Sequence, residues 1–217
     1  MKTTPEIKSE LARLPYFTLS TVRQLTDTSA QSTRMLLFRW EKTGEAMRIM
    51  RGLYMIREFW LSHKDGDKMI PLLSSVIDPQ SYLTSSWVLQ KYGVMTEAVY
   101  EITAVTPRHA KVVNNKLGRF VYAHVSNNLV NNFTEIDCWG ILAHQATPAK
   151  ALFDYLNLAS DARMYLQLDY DLAEDLRLNL SEWSSGWRDE FGRIVGESGV
   201  AKMIKANENL KRYVWRS

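Results

Sequence analysis

Residues Leu19–Ile56, LSTVRQLTDTSAQSTRMLLFRWEKTGEAMRIMRGLYMI, decide how this chain is read. Leu19, Val22 and Leu25 recur at helical spacing and predict a helix over about 19–25. Asp27-Thr28-Ser29 breaks that pattern, and Ser29 is a natural N-cap for a further helix to about Lys42, which Gly44 stops. EAMRIMRGLYMI then places β-favouring residues on both sides of Arg51-Gly52, as a hairpin does. Ahead of these, Ile7, Leu11 and Leu14 predict a helix over about Glu6–Leu14, ended by Pro15. A helix–turn–helix followed by a basic hairpin is the outline of a winged helix.

At about 100° per residue, the helix after Ser29 separates into two faces. Thr33, Leu36, Leu37 and Trp40 cluster on one and are expected to pack inward. Gln31, Met35, Phe38 and Lys42 lie opposite, flanked by Ser32, Arg34 and Arg39. In helix–turn–helix docking, the N-terminal residues of the second helix reach base edges in the major groove. Gln31, Ser32, Arg34 and Met35 are therefore the expected base-contacting set. Gln pairs bidentately with adenine, Arg with guanine, and Met35 or Phe38 can touch a thymine methyl. Packing of Phe38 against the first helix or the hairpin is the equal alternative. Arg39, Lys42, Arg48 and Arg51 are expected on the sugar–phosphate backbone, adding affinity and salt dependence without sequence information.

Charge supports a basic head on a different body. Residues 1–57 carry ten Lys+Arg against five Asp+Glu, and the remaining 160 carry seventeen against nineteen, within an overall charge of +3. The 217-residue composition, 46% hydrophobic and 24% charged, is that of a globular chain of one or two domains. Apolar runs fall far short of the roughly 18 residues that span a bilayer, and the N-terminus has no apolar signal core. The one cysteine, Cys138, excludes an intrachain disulfide and suits a reducing cytoplasm. His63, His109, His124 and His144 are scattered, so neither a metal nor another cofactor is expected.

The expected architecture is α+β: a winged helix-turn-helix over 1–60, a linker at about 61–68, and a domain over 69–217. That second domain should be mixed, with a mainly antiparallel sheet and a helical C-terminus. Pro71 suits the first turn of a helix to about Ile77. PQSYLT reads as a short strand, and SSWVLQKYG as a helix capped by Ser85 or Ser86 and closed by Gly93. VYEITAVT is the clearest strand, with AKVV and GRFVYAHV as an antiparallel continuation. NNLVNNF reads as a loop and CWGILA as a strand. Thr147 and Pro148 open a helix. The chain from about Ala162 reads as mainly helical.

Several segments together resemble the AbiEi family, the antitoxin and transcriptional regulator of type IV toxin–antitoxin systems. FTLSTVRQLTDTS and RGLYMI are similar to its winged-helix head. SWVLQKYGVMTEAVYEITAVTPRHAKVVNNKLGRFVYAHV resembles its helix–YGL–x–E–strand–T–x–R–strand segment, and TPAKALFDYL its TPEKALLD helix. Ala149 departs from that pattern, where the family usually has Glu. The likeness runs from about Phe17 to Leu158. It implies a head that binds inverted repeats in double-stranded operator DNA and represses its own operon, with room for a homo-oligomer on those repeats. It implies a body that counters a nucleotidyltransferase-type toxin, classically without a stable complex, and a link to phage abortive infection. Glu97, Arg108, His124 and Lys150 fall in the matched segments as candidates for a shared antitoxin surface. The plainer reading is fold support, with Arg108 paired to an acid, His124 hydrogen-bonded beside the sheet, and Lys150 pairing with Asp154 one turn on. A stand-alone winged-helix repressor or protein-interaction module, without antitoxin activity, is the alternative.

Enzyme signatures are weak. Asp169-x-Asp171 has the spacing of a two-metal nucleotidyltransferase pair, but no Gly-Ser phosphate turn precedes it, and Asp171 opens an acidic helical stretch. Glu101 lacks the Glu-x-Lys partner of a restriction-type nuclease. No glycine-rich phosphate loop or Gly-x-Ser-x-Gly elbow occurs. The body is therefore read as non-enzymatic. Gly192–Ser217 carries six Lys+Arg against two Glu, a balance that suits either a solvated helix or a second phosphate-contacting patch.

Overall fold

Capping residues fix the N-terminal elements. The structure, a computed structural model, describes residues 4–64, 66–159 and 170–215. Helix α1 (Thr4–Leu11) buries Ile7 and Leu11 but stops short of the expected end, leaving Leu14 exposed. Strand β1 (Phe17–Thr18) leads into α2 (Leu19–Thr26), where Thr18 and Thr21 form a reciprocal capping box. Asp27 ends α2 in the left-handed region at φ 51°. Helix α3 (Ala30–Thr43) starts under Ser29, whose hydroxyl accepts from the Ser32 N–H, and ends at Gly44 with φ 75°. A chain of hydroxyls, Thr26–Thr28–Thr33, stitches the α2–α3 turn.

Strands β2 (Ala46–Met50) and β3 (Leu53–Ile56) form the expected hairpin, and β1 adds to β3 to give an antiparallel order β1-β3-β2. This small sheet has two buried faces. Ala46 and Ile56, paired across the ladder, join Leu11, Val22, Leu37 and Trp40 in one core. Ile49 and Met55 enter the larger core of the rest of the molecule. The register shifts between Arg48 and Met50, and the Ile49 carbonyl accepts a 2.8 Å hydrogen bond from Asn115 Nδ2.

The first three residues of the expected linker, 61–63, are helical, and the described residues from 64 to 68 are turn and bend. Helix α4 (Arg57–His63) follows β3 directly, and its buried Phe59 stacks on His63 at 4.3 Å and meets Trp139 edge-on at 5.1 Å. The polar and glycine content of 58–68 concealed that a helix runs past Trp60 and buries Phe59.

Beyond it come α5 (Met69–Ile77), β4 (Tyr82–Leu83), α6 (Ser85–Lys91), β5 (Glu101–Thr106), β6 (Lys111–Asn115), β7 (Gly118–His124), β8 (Phe133–Cys138), β9 (Ile141–Ala146) and α7 (Pro148–Leu158). Short α8 (Leu172–Asp175) and the longer α9 (Ser185–Ser198) and α10 (Ala201–Tyr213) complete the described chain. The fold is α+β, with the larger sheet ordered β6-β7-β5-β4-β9-β8. Its described ladders are three antiparallel and two parallel.

Two strand expectations are corrected. β7 runs parallel to β5, pairing Ile102 with Phe120 and Ala104 with Tyr122, while β6 is an edge strand whose described ladder is with β7. A hairpin of β6 and β7 forms locally, and burying Phe120 and Tyr122 beside β5 sets its side of docking. CWGILA is two strand ends around a two-residue turn: Trp139 and Gly140 both have positive φ, 54° and 82°, as a type I′ hairpin requires. The cap of α6 also differs. Thr84 occupies the N-cap without a side-chain cap bond, because its hydroxyl donates to Asp154 instead.

Candidate nucleic-acid interface

The inward face of α3 is as expected: Thr33, Leu37 and Trp40 are buried, and Leu36 is half-buried. That burial forces the opposite face outward. Gln31, Ser32, Arg34, Met35, Arg39 and Lys42 are all exposed. Phe38, equally suited to the core by sequence, is 50% exposed, and Met35 is 56% exposed. Lys42 Nζ lies 4.8 Å from the Phe38 ring centroid and keeps that ring beside a cation. Ser32 is drawn into the helix cap, with its hydroxyl 3.0 Å from that of Ser29. Arg34, Arg39, Arg48 and Arg51 form no ion pair among the described residues.

Arg48 and Arg51 do not project into open solvent alone. They line a cleft of about 430 Å³ between the β2–β3 hairpin and the β6–β7 turn, together with Glu41, Asn114, Asn115 and Lys116. Lys116 therefore joins the basic set from a distant part of the sequence. Neither spacing nor local charge pointed to it, because the contact is made by tertiary packing. Asn115 fixes the geometry: it holds Ile49 of the hairpin and, through Oδ1, the backbone N–H groups of Leu117 and Gly118.

Of the four candidate residues of the body, Glu97, Arg108 and His124 are exposed and Lys150 is not. Glu97 precedes β5 and pairs with Arg177 at 2.7 Å, both side chains exposed. Arg108 and His124 sit beyond the other end of β5, roughly 17 Å away at about 3.3 Å per strand residue. There His124 Nδ1 lies 2.8 Å from the Arg108 carbonyl, while the Arg108 guanidinium has no acid partner among the described residues. Lys150 is the clear correction. Its side chain is 0% exposed, so it belongs to no surface.

Lys150 instead anchors a buried polar network. Its Nζ is 2.9 Å from Asp154 Oδ1, and the Tyr82 and Thr84 hydroxyls donate to Oδ2 at 2.9 and 2.7 Å. The ammonium also lies over the Phe153 ring at 4.6 Å. Burial pushes the Asp154 carboxyl up, opposed by the Lys150 charge and the three hydrogen bonds. Burial and the Asp154 charge both raise the Tyr82 phenol, which stays a neutral donor. A second acid, Asp78, is also buried but meets solvent through its partner Lys111, 3.1 Å away and 35% exposed.

Asp171 caps α8, accepting from the Ala173 and Glu174 N–H groups, whereas Asp169 lies outside the described residues. The basic C-terminal stretch is dispersed. Arg193 bonds Glu197 and Asn132, Lys202 donates to the Asn157 carbonyl, and Arg212 lies over the Tyr213 ring. Arg216 lies outside the described residues.

Among the described residues no helix is long and apolar enough to cross a membrane. Compared with protein-family models the chain matches none, and no curated protein matches it.

Proposed function

We propose that this chain is a DNA-binding transcriptional regulator whose head is a winged helix and whose non-catalytic body acts as a type IV antitoxin of the AbiEi kind. The observation that carries the DNA half is the outward face of α3. Gln31, Arg34, Met35 and Lys42 are exposed there, beside a hairpin bearing Arg48 and Arg51. Side chains that can pair with base edges occupy the first turns of the second helix of the motif, and cations without ion pairs among the described residues flank them. Lys116 extends the phosphate-contacting set to Arg39, Lys42, Arg48, Arg51 and Lys116. The antitoxin half rests on the resemblance of residues 86–125 and 147–156.

A protein-interaction module is the second reading, favoured by one feature: Met35 and Phe38 form an exposed apolar pair in the middle of the same face. The two readings separate in a mobility-shift assay with the chain's own upstream DNA. Saturable retardation that survives excess unrelated DNA supports the regulator, and equal competition by any DNA sinks it. Co-expression of the full chain with a neighbouring nucleotidyltransferase toxin tests the body. Restored growth is expected, and continued arrest with folded protein leaves a plain repressor.

A further inference from the structure

Ser185, Arg188, Asp189 and Gly192 fall at i, i+3, i+4 and i+7 on α9 and so share one face. Lys211 near the end of α10 and Trp215 just beyond it close the other side of a cleft of about 450 Å³. That is within the size range of small-molecule sites.

The polar groups of this cleft are not consumed by the fold. Lys211 and Asp189 have no ion pair among the described residues. Arg188 donates from Nη2 to the Ser181 carbonyl at 3.1 Å, and its Nε–H is buried without an acceptor among the described residues. The Nη1 end of the guanidinium forms no hydrogen bond among the described residues and is left for a ligand. The positive end of the α9 dipole, capped by Ser184, lies beside Ser185.

Gly192 keeps the cleft open. Glycine inside a helix is destabilising relative to alanine, yet a Cβ at Gly192 would meet nothing within 4 Å, so packing does not require it. Trp215 is a rigid apolar floor. Its indole N–H donates to the Leu180 carbonyl at 3.2 Å, and its ring stacks on Trp183 and meets Phe191 edge-on.

We propose that this cleft binds a mononucleotide. Arg188 and Lys211 hold the phosphate at the N-terminal end of α9, matching a dianion with two cations. Asp189 and Ser185 accept from N–H and O–H groups of the base and sugar, and Trp215 carries the apolar ring edge. The carboxylate in the same wall disfavours a bare polyanion, which brings no donor to satisfy it. The site is separate from the α3 face and does not rest on the DNA-binding reading.

Isothermal titration of the full chain with AMP, GMP, ribose 5-phosphate and inorganic phosphate tests this. Saturable nucleotide binding, tighter than that of phosphate or ribose 5-phosphate, is expected. Arg188→Gln and Lys211→Gln should each weaken it roughly tenfold, the cost of one charge-assisted hydrogen bond. Gly192→Leu should abolish it with the melting temperature unchanged or raised, because a Cβ here meets nothing within 4 Å and leucine favours a helix over glycine. Arg188 also holds Ser181, so Lys211→Gln and Gly192→Leu decide the matter if Arg188→Gln unfolds. Absent saturation, nucleotide binding no tighter than phosphate, or full binding by Gly192→Leu overturns the site. Operator binding by Gly192→Leu should be normal, so failure here leaves the regulator reading standing.

Discussion

The α3 face and the α7 network both present cations with polar companions at helical spacing, but they are opposite kinds of site. On α3, Arg34, Arg39 and Lys42 stand in solvent with no ion pair among the described residues. On α7, Lys150 is sealed with Asp154, Tyr82 and Thr84, and every contact it makes is internal. The first arrangement contributes little to folding and leaves its donors free for a partner. The second is costly to desolvate and tolerable only because its groups are paired. A helical Lys is thus a poor indicator of function until its burial is known.

The largest effect should come from breaking the buried pair. Lys150→Met leaves the Asp154 carboxylate uncompensated and should cost about 3–5 kcal/mol in urea unfolding. The cost should shrink on acidification. With the lysine gone, burial raises the folded pKa of Asp154 above its unfolded value. Stability is then retained at low pH, where the acid is protonated in both states, and lost as pH rises through the folded pKa. A small, pH-independent change would mean that the pair is not the internal unit described above.

Next, Arg34→Ala should cost about 1–3 kcal/mol of operator binding and relax preference at one base pair, with folding stability unchanged. An equal loss on random DNA would move Arg34 to the backbone set. Arg51→Ala and Lys116→Ala should weaken all sequences alike, and each should reduce the salt slope by about one. A salt slope unaffected by Lys116→Ala removes the β6–β7 turn from the interface. The smallest effect is expected from Phe38→Ala, which should leave unfolding within about 0.5 kcal/mol of the parent because the ring is half exposed. A larger loss would show that this face supports the fold after all.

Much of the head was legible in sequence because its decisive signals are local. Ser29 caps α3 and Gly44 ends it, and the 3.6-residue repeat separates Thr33, Leu37 and Trp40 from Gln31, Arg34 and Met35. Phe38 could not be assigned, since an aromatic residue at the edge of an apolar stripe suits either face. In the body, strand positions were largely visible but partners were not. Nothing within 101–124 distinguishes β7 pairing parallel to β5 from an antiparallel meander. Alternation sets which residues share a face, not which neighbour they meet.

Local chemistry thus determined from sequence alone the capped helix pair, the Arg51-Gly52 hairpin and the residues that face away from its core. Tertiary structure alone decided three further matters. The hairpin is shared, with Ala46 and Ile56 in one core and Ile49 and Met55 in another, and the helix that follows it buries Phe59 in the second of them. Lys116 reaches the hairpin arginines from 65 positions beyond Arg51. Lys150 disappears from the surface to pair with Asp154. Each depends on contacts between residues far apart in the chain, and burial, which sets the energy of a charge, is a property of those contacts rather than of neighbours in sequence.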